Sequence, residues 1–358
     1  MRTTPCAILA TLLCVASARA QGPELDPTPP VPLEDLRLGS IGFYWENDGA
    51  YIKPNQESDE HYTNGLKIDF GFQGQLADRW ARRLPSIPLI GFDDEAPLHD
   101  AEAMRSAFGV GVTQLMFTPE DLERRDLIED DRPYAGYLGF NFFLQRVQGR
   151  NWEHFEIEAG VVGPASFARE VQEQVHATFP DNISPNGWNH QLANEPVLNF
   201  NYRRRWRFDV LEDESPLGLQ FIPGGGFDVG NMRTSARVDL IGRFGWNLPD
   251  DFGPSRILDL RDGTARRGRH TDLGDWSLYV YGRAAGRAVA RDVFLDGNTF
   301  ADSHSVQREP FVGELQFGIV GRWRFLEVGY GQTWVSREFE EENPSSHGAI
   351  TVNLHFPF

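Results

Sequence analysis

The 358-residue chain carries 34 Lys and Arg against 52 Asp and Glu, a formal net charge of −18. That balance argues against general attraction to nucleic acid, and an anionic partner would have to be met through divalent cations or a local basic patch. The only cysteines, Cys6 and Cys14, lie in the first twenty residues, so a chain processed after Ala20 would have no disulfide, thiol nucleophile or cysteine metal site.

Arg2 gives a short basic start, AILATLLCVASA an apolar run and Ala18-Arg19-Ala20 a small-x-small cleavage site. This predicts a secretory signal over 1–20. The run is too short to span a bilayer as a helix, and no later stretch approaches the roughly 20 apolar residues such a helix needs. Residues 21–38, QGPELDPTPPVPLEDLRL, are proline-rich and acidic and read as an extended leader.

From residue 39 onward apolar residues alternate with polar or small ones. Ile41, Phe43 and Trp45 share one parity, as do Leu66, Ile68, Phe70 and Phe72 in a second segment, which is strand periodicity. The pattern predicts twelve strands near 39–48, 61–73, 104–117, 134–147, 152–163, 195–210, 217–230, 233–247, 276–291, 309–323, 325–337 and 348–358. Their lengths suit membrane-spanning strands of about 10 residues. In the last, Ile350, Val352, Leu354, Phe356 and Phe358 alternate with Thr351, Asn353, His355 and Pro357. The expected fold class is all-β: a transmembrane antiparallel β-barrel of about 12 strands over 39–358, with an amphipathic helix in an extracellular loop. A secreted β-sandwich is the alternative, but it has no need of strands this long.

With both termini periplasmic, odd-to-even connections are external. Loops 49–60, 118–133, 164–194 and 292–308 then lie on the outer rim, while residues 148–151 and the Trp323-Arg324 connection are tight inner turns. Parity makes 248–275 a long periplasmic connection with no evident reason to exist. Within 164–194, Phe167, Val171, Val175 and Phe179 recur every four residues, predicting an amphipathic helix ended by Pro180. Its apolar stripe would face the barrel wall or the lipid interface, with His176 at the stripe's edge.

Asn47 and Asp48 would thus end the first strand at the outer rim, Tyr62 and Thr63 would begin the second beside them, and the helix with His176 would be anchored at the same rim. Alternation puts Asn47 on the lipid face with Phe43 and Trp45, where an amide needs cover. Taken singly, each residue also has a plain reading: Asn-Asp-Gly is a turn signal, Thr63 an ordinary strand residue and His176 an interface histidine.

The segments FYWENDGAY, DEHYTNGLKIDFGF, DDRPYAGYLGFNFF, EVQEQVHATF, NGWNHQLANEP and VNLHFPF resemble the lipid A 3'-O-deacylase family of outer-membrane enzymes, and the resemblance runs through essentially the whole chain after the signal. It implies a twelve-stranded barrel with its active site on the outer face. The family's Asn-Asp pair falls on Asn47 and Asp48, its Tyr-Thr on Tyr62 and Thr63, and its helix histidine on His176. Where the family has a glutamate shortly after that histidine this chain has Asn182, and Asp181 is the nearest carboxylate. The resemblance also implies a calcium ion, for which Asp48 and Asp181 are the candidate ligands.

The implied chemistry is hydrolysis of a 3'-linked acyl or acyloxyacyl ester of lipid A. Histidine suits a general base toward water, and a hard cation on oxygen ligands, with Asn47 or backbone N–H groups assisting, suits the oxyanion. Thr63 would position water or substrate. No GxSxG motif occurs, which argues against a serine nucleophile. Arg124 and Arg125 resemble a basic pair that meets acidic groups of lipopolysaccharide, although an ordinary solvated loop would look the same. YRRRWRF, 202–208 in the chain, is the densest basic run, and its later residues are expected near inner-leaflet headgroups. Outer-membrane lipids are the expected surroundings and a monomer the expected state. A non-enzymatic barrel, either a narrow channel or a surface protein, is the alternative function.

Overall fold

In a computed structural model of the chain the described residues are 35–48, 61–84, 104–178, 185–211, 215–257 and 275–356. The signal, most of the leader, loop 49–60, Asp181 and Asn182 lie outside them. The strands are β1 Arg37–Asn47, β2 His61–Gln73, β3 Arg105–Thr118, β4 Ala135–Gln148, β5 Asn151–Val162, β6 Glu195–Trp206, β7 Phe208–Asp209, β8 Leu217–Gly230, β9 Arg233–Trp246, β10 Trp276–Asp292, β11 Phe311–Trp323, β12 Leu326–Val335 and β13 Ser345–His355. The two residues of β7 continue β6 beyond Arg207, so these strands form twelve staves. All pairs are antiparallel, and β1 pairs with β13 and β6 with β8, closing the barrel. Closure leaves no sheet edge facing lipid.

On each stave one parity is polar and buried and the other apolar and exposed. In β2, Lys67 and Asp69 are buried while Ile68 and Phe70 face outward. Phe140, Leu198, Val238 and Phe317 extend the outer belt. At the end where β1 begins and β13 finishes, Trp246 stacks on Trp276 at 5.7 Å, beside exposed Trp323, as in an interfacial aromatic girdle. Hairpin parity sets 119–134, 163–178, 185–194, 293–310 and 336–344 at the opposite, outer end.

The connection after β9 does not stay outside the lumen as expected. Its described part, residues 248–257, enters the barrel. Leu248 packs on Tyr279 and Tyr281, Phe252 on Ile222, Ile241 and Trp152, and Ile257 on Tyr44, Leu115 and Phe117, successively farther from the termini. The reason is electrostatic: buried charges need partners. Arg243 pairs with Asp251 and donates to the carbonyls of Pro249 (3.0 Å) and Asp251 (3.1 Å). Arg256 meets Glu314 at 2.8 Å, the Ile257 N–H donates to Glu46 at 3.0 Å, and Lys67 donates to the Ile257 carbonyl at 3.3 Å.

The basic run of β6 likewise turns inward. Arg203 pairs with Asp228 (2.6 Å) and Arg205 with Asp239 (3.0 Å), while Arg207 reaches Asp250 of the inserted segment (2.6 Å). The expected headgroup contact is therefore replaced by lumenal ion pairs, because alternation directs every second arginine inside. Together with the inserted segment, these side chains leave a polar cavity of about 30 Å³ between Lys67, Glu156, Asn201 and Arg237, room for about two waters.

A helix the periodicity did not reveal, α1 (Gln75–Arg83), lies on the outer wall near the termini. Trp80 packs on Phe108 at 5.0 Å and Phe142 at 5.9 Å, and Arg146 donates to the carbonyls of Ala81 and Leu84. At the outer mouth the post is Arg132, 1% exposed, between Phe117 and Phe339. It joins the β3–β4 loop to the β12–β13 loop through Glu338 at 2.8 Å and, less closely, Glu342 at 3.6 Å. One guanidinium cannot serve two buried carboxylates equally. Burial opposes ionisation of Glu338, yet Arg132 and Arg287 hold it at about 2. Burial pushes Glu342 up to about 7, and the charge of Glu338 adds to this against the pull of Arg132.

Asp251→Ala, which strands Arg243 inside the lumen, is expected to destabilise the refolded barrel by about 3–5 kcal/mol, read as a lower urea midpoint. The wild-type protein is expected to show no steady conductance in planar bilayers. The raised carboxyl of Glu342 contributes stability that is complete below pH ~4.5 and lost as pH rises through about 7. Glu342→Gln should abolish that loss, so urea midpoints at pH 5 and pH 8 should differ less in the variant than in the wild type.

Candidate functional site on the outer rim

The tip of the first hairpin is built by alternation and one irregularity. Asn47 faces outward and pairs across the ladder with Asn64, whose Oδ1 accepts from the Trp45 indole at 2.8 Å. The Asn47 amide donates to the Thr63 carbonyl at 2.6 Å, and Asp48 follows it, buried. A register shift between His61 and Asn64 separates the fates of Tyr62 and Thr63. Tyr62 turns into the lumen, donating to Glu46 at 3.1 Å and packing on Phe117 and His347. Thr63 hydrogen-bonds Thr118 of β3, hydroxyl to hydroxyl, at 2.6 Å. Asn47 and Thr63 are thus brought into contact, while Tyr62 belongs to the interior.

Helix α2 (Ala168–Thr178) packs on β3 and β4 at the same end. Its orientation takes the lipid side of the two alternatives the sequence left open. Phe167, Val171 and Val175 are exposed, and the face turned to the protein is Ala168, Gln172 and His176, spaced i, i+4, i+8. His176 is 8% exposed. An apolar stripe belongs in lipid, so the polar stripe is the one the wall covers. The helix approaches closely because the wall is small there: a Cβ added at Gly136 would lie 2.3 Å from the Cβ of Ala168 and 2.2 Å from the Ser166 hydroxyl. Gln114 of β3 donates to the Ser166 carbonyl at 2.8 Å.

The two densest motifs prove to be the frame of this arrangement. In DRPYAGYL, the Asp131 carboxylate accepts from the Glu120 N–H at 2.8 Å, Arg132 is the mouth post, and Tyr134 packs on Trp188 at 5.0 Å. In NGWNHQLANEP, Gly187 makes way for the Tyr134 ring, the Trp188 indole donates to Gln172 Oε1 at 2.7 Å, and the Leu192 N–H donates to the Tyr134 carbonyl at 3.0 Å. Asn194 accepts from the Ala165 N–H at 2.7 Å, and Glu195 from the Thr299 N–H at 2.6 Å. Gln172 went unnoticed in the sequence, although its spacing from His176 places both on one face.

Arg124 and Arg125 are exposed on the β3–β4 loop, where Asp121 caps the turn by accepting from the Arg124 N–H at 3.2 Å. Among the described residues, neither guanidinium is joined by a hydrogen bond or ion pair to Asn47, Thr63 or α2. Asp181 lies just beyond α2, outside the described residues.

A family model described as "Outer membrane protein LpxR" matches residues 6–356. Among solved structures the chain is similar to LpxR from Salmonella typhimurium, with 16% identity, a TM-score of 0.67, and coverage of 88% of this chain and 100% of that one. It is also similar to the β domain of the Bordetella autotransporter BrkA, with 8% identity, a TM-score of 0.42, and coverage of 89% and 99%. No curated protein sequence matches the chain. The match over nearly the whole length, on a closed twelve-stave barrel, shows that the chain belongs to the LpxR family of outer-membrane proteins.

Proposed function

We propose that this protein is a calcium-dependent lipid A deacylase that hydrolyses a 3'-linked acyl or acyloxyacyl ester in the outer leaflet. The observation that carries the proposal is the orientation of the helix: α2 turns its apolar residues to lipid and buries His176 against the outer wall on β3 and β4, at the end of the barrel where β1 finishes and β2 begins. A lipid chain reaching the contact between α2 and the wall from the membrane never has to enter the barrel. The inserted segment 248–257, lying across the lumen, favours this reading over a channel.

In the proposed mechanism His176 takes a proton from water, whose oxygen attacks the acyl carbonyl carbon. The ester C–O bond breaks and the imidazolium returns the proton to the departing sugar hydroxyl, leaving a free fatty acid. Asn47 and Thr63, already linked, would orient water and substrate at the rim. Arg124 and Arg125 would hold phosphate or carboxylate groups of the lipopolysaccharide core at the surface.

The donor set suits a hard cation. Among the described residues no three His, Cys, Asp or Glu side chains cluster as a metal site, but the tip offers the buried Asp48 carboxylate with the oxygens of Asn47, Thr63 and Thr118. Calcium accepts such mixed carboxylate, carbonyl and hydroxyl ligands. Asp48 would be its charged ligand, with Asp181 as a second, and when bound it would supply positive charge for the developing oxyanion.

His176→Ala is expected to lower fatty-acid release from purified lipopolysaccharide by at least about 10²-fold while the variant keeps its heat-modifiable mobility. Full activity in that variant would remove His176 as the base. Asp48→Ala should shift the calcium titration of activity to higher concentration, and an unchanged titration would exclude it as a ligand.

A further inference from the structure

We infer that Gln172 is a further catalytic residue, whose side-chain amide N–H donates to the carbonyl oxygen of the scissile acyl ester and to the oxyanion formed from it. This rests on the reading of the contact between α2 and the wall as an ester-hydrolysing site. Three observations carry it, none of which involves the tip of β1.

Gln172 is 3% exposed and lies one turn before His176 on the wall-facing stripe of α2. One turn separates the two residues by roughly 6 Å along the axis. A histidine, the water it activates and the carbonyl oxygen under attack span a comparable distance, so one acyl ester can meet both side chains.

The orientation of the amide is determined by its neighbour. The Trp188 indole can only donate, so the atom it contacts at 2.7 Å must be the carbonyl oxygen Oε1. The NH2 group therefore points the other way. Trp188 is itself 1% exposed and packed on Tyr134 at 5.0 Å, so the amide has little freedom to turn over.

That NH2 group is buried and makes no hydrogen bond among the described residues. Leaving a buried amide nitrogen without a partner is costly. A buried donor held in a fixed direction is what stabilisation of a developing oxyanion requires, because nothing must reorganise as charge appears. As water adds to the carbonyl carbon and His176 takes its proton, the C=O π electrons move to oxygen, to which the Gln172 N–H donates a hydrogen bond. They return when the ester C–O bond breaks. Gln172 exchanges no proton.

The test uses full-length refolded protein in mixed micelles with hexa-acylated lipid A. Gln172→Met and Gln172→Glu preserve side-chain length but remove the donor, and each is expected to lose about 10²-fold in kcat with KM within about threefold, the uncharged Gln172→Met with an unshifted pH profile. Trp188→Phe frees the amide and is expected to lose about tenfold in kcat as a positioning residue. A second measurement needs no turnover. In a His176→Ala background, the infrared stretch of a bound lipid with a ¹³C-labelled acyl carbonyl should move to lower frequency, and Gln172→Met should restore it. Retained kcat in Gln172→Met, a loss confined to KM, or a carbonyl band insensitive to Gln172 would each overturn the assignment. If the wild-type protein releases no fatty acid while the carbonyl band still depends on Gln172, the deacylase reading fails and the donor assignment stands.

Discussion

The close approach of helix α2 to the outer wall is the constraint on which the rim depends. A helix lying outside a barrel must satisfy two solvents, lipid on one side and protein on the other. Here the contact is made where small groups meet, Gly136 on β4 against Ser166 and Ala168. Any larger side chain at either place would lift the helix and open its polar stripe to hydrocarbon, where unsatisfied amide and imidazole groups are costly. The apolar stripe of Phe167, Val171 and Val175 then has a clear role: it keeps the helix level in the membrane and its opposite face covered.

The interior follows a different logic. Net negative charge over the chain coexists with a lumen crowded with arginines, because alternation sends Arg203, Arg205, Arg243, Arg283 and Arg287 inside. Each needs a carboxylate, and the barrel strands provide many of them, including Asp228, Asp239 and Glu314. The remaining demand draws in the connection after β9, whose Asp250 and Asp251 meet Arg207 and Arg243. A channel would have to hydrate these charges separately. Pairing them fills the space instead, at the cost of fixing many long side chains.

The staves were legible because a lipid-facing strand repeats at period two regardless of its neighbours, and boundaries such as His61–Gln73 and Leu217–Gly230 agree with the alternation to the residue. Helix α2 was legible in extent but not in orientation, since an apolar stripe does not say whether protein or lipid covers it. Helix α1 was missed because nine residues anchored by Ala77, Ala81 and a single Trp80 carry too few large apolar groups to define a period. The inserted segment was illegible for a different reason: its charges have meaning only beside partners far away in the chain. The same holds for the site. Asn47, Asp48, Thr63 and His176 could be named from motifs, whereas the opposite courses of Tyr62 and Thr63 depend on a local register shift that no sequence period records.

These two logics meet at the end of β1. Alternation places Glu46 inside and Asn47 outside, so one peptide unit separates the lumen from the rim. Inside, Glu46 accepts from the Tyr62 hydroxyl and the Ile257 N–H, with Arg256 3.7 Å away. Outside, Asn47 is bound to the backbone of Thr63, and Thr63 to Thr118. Strand ends ordinarily fray, since their last groups lack ladder partners. Here the final residues are pinned from both faces, and one of the pins is Ile257 of the inserted segment. The inserted segment therefore does more than fill the lumen: it braces from within a polar tip whose outer side faces the membrane. Reactions that need side chains held to within about half an ångström are more readily built on such a braced strand end than on a free loop.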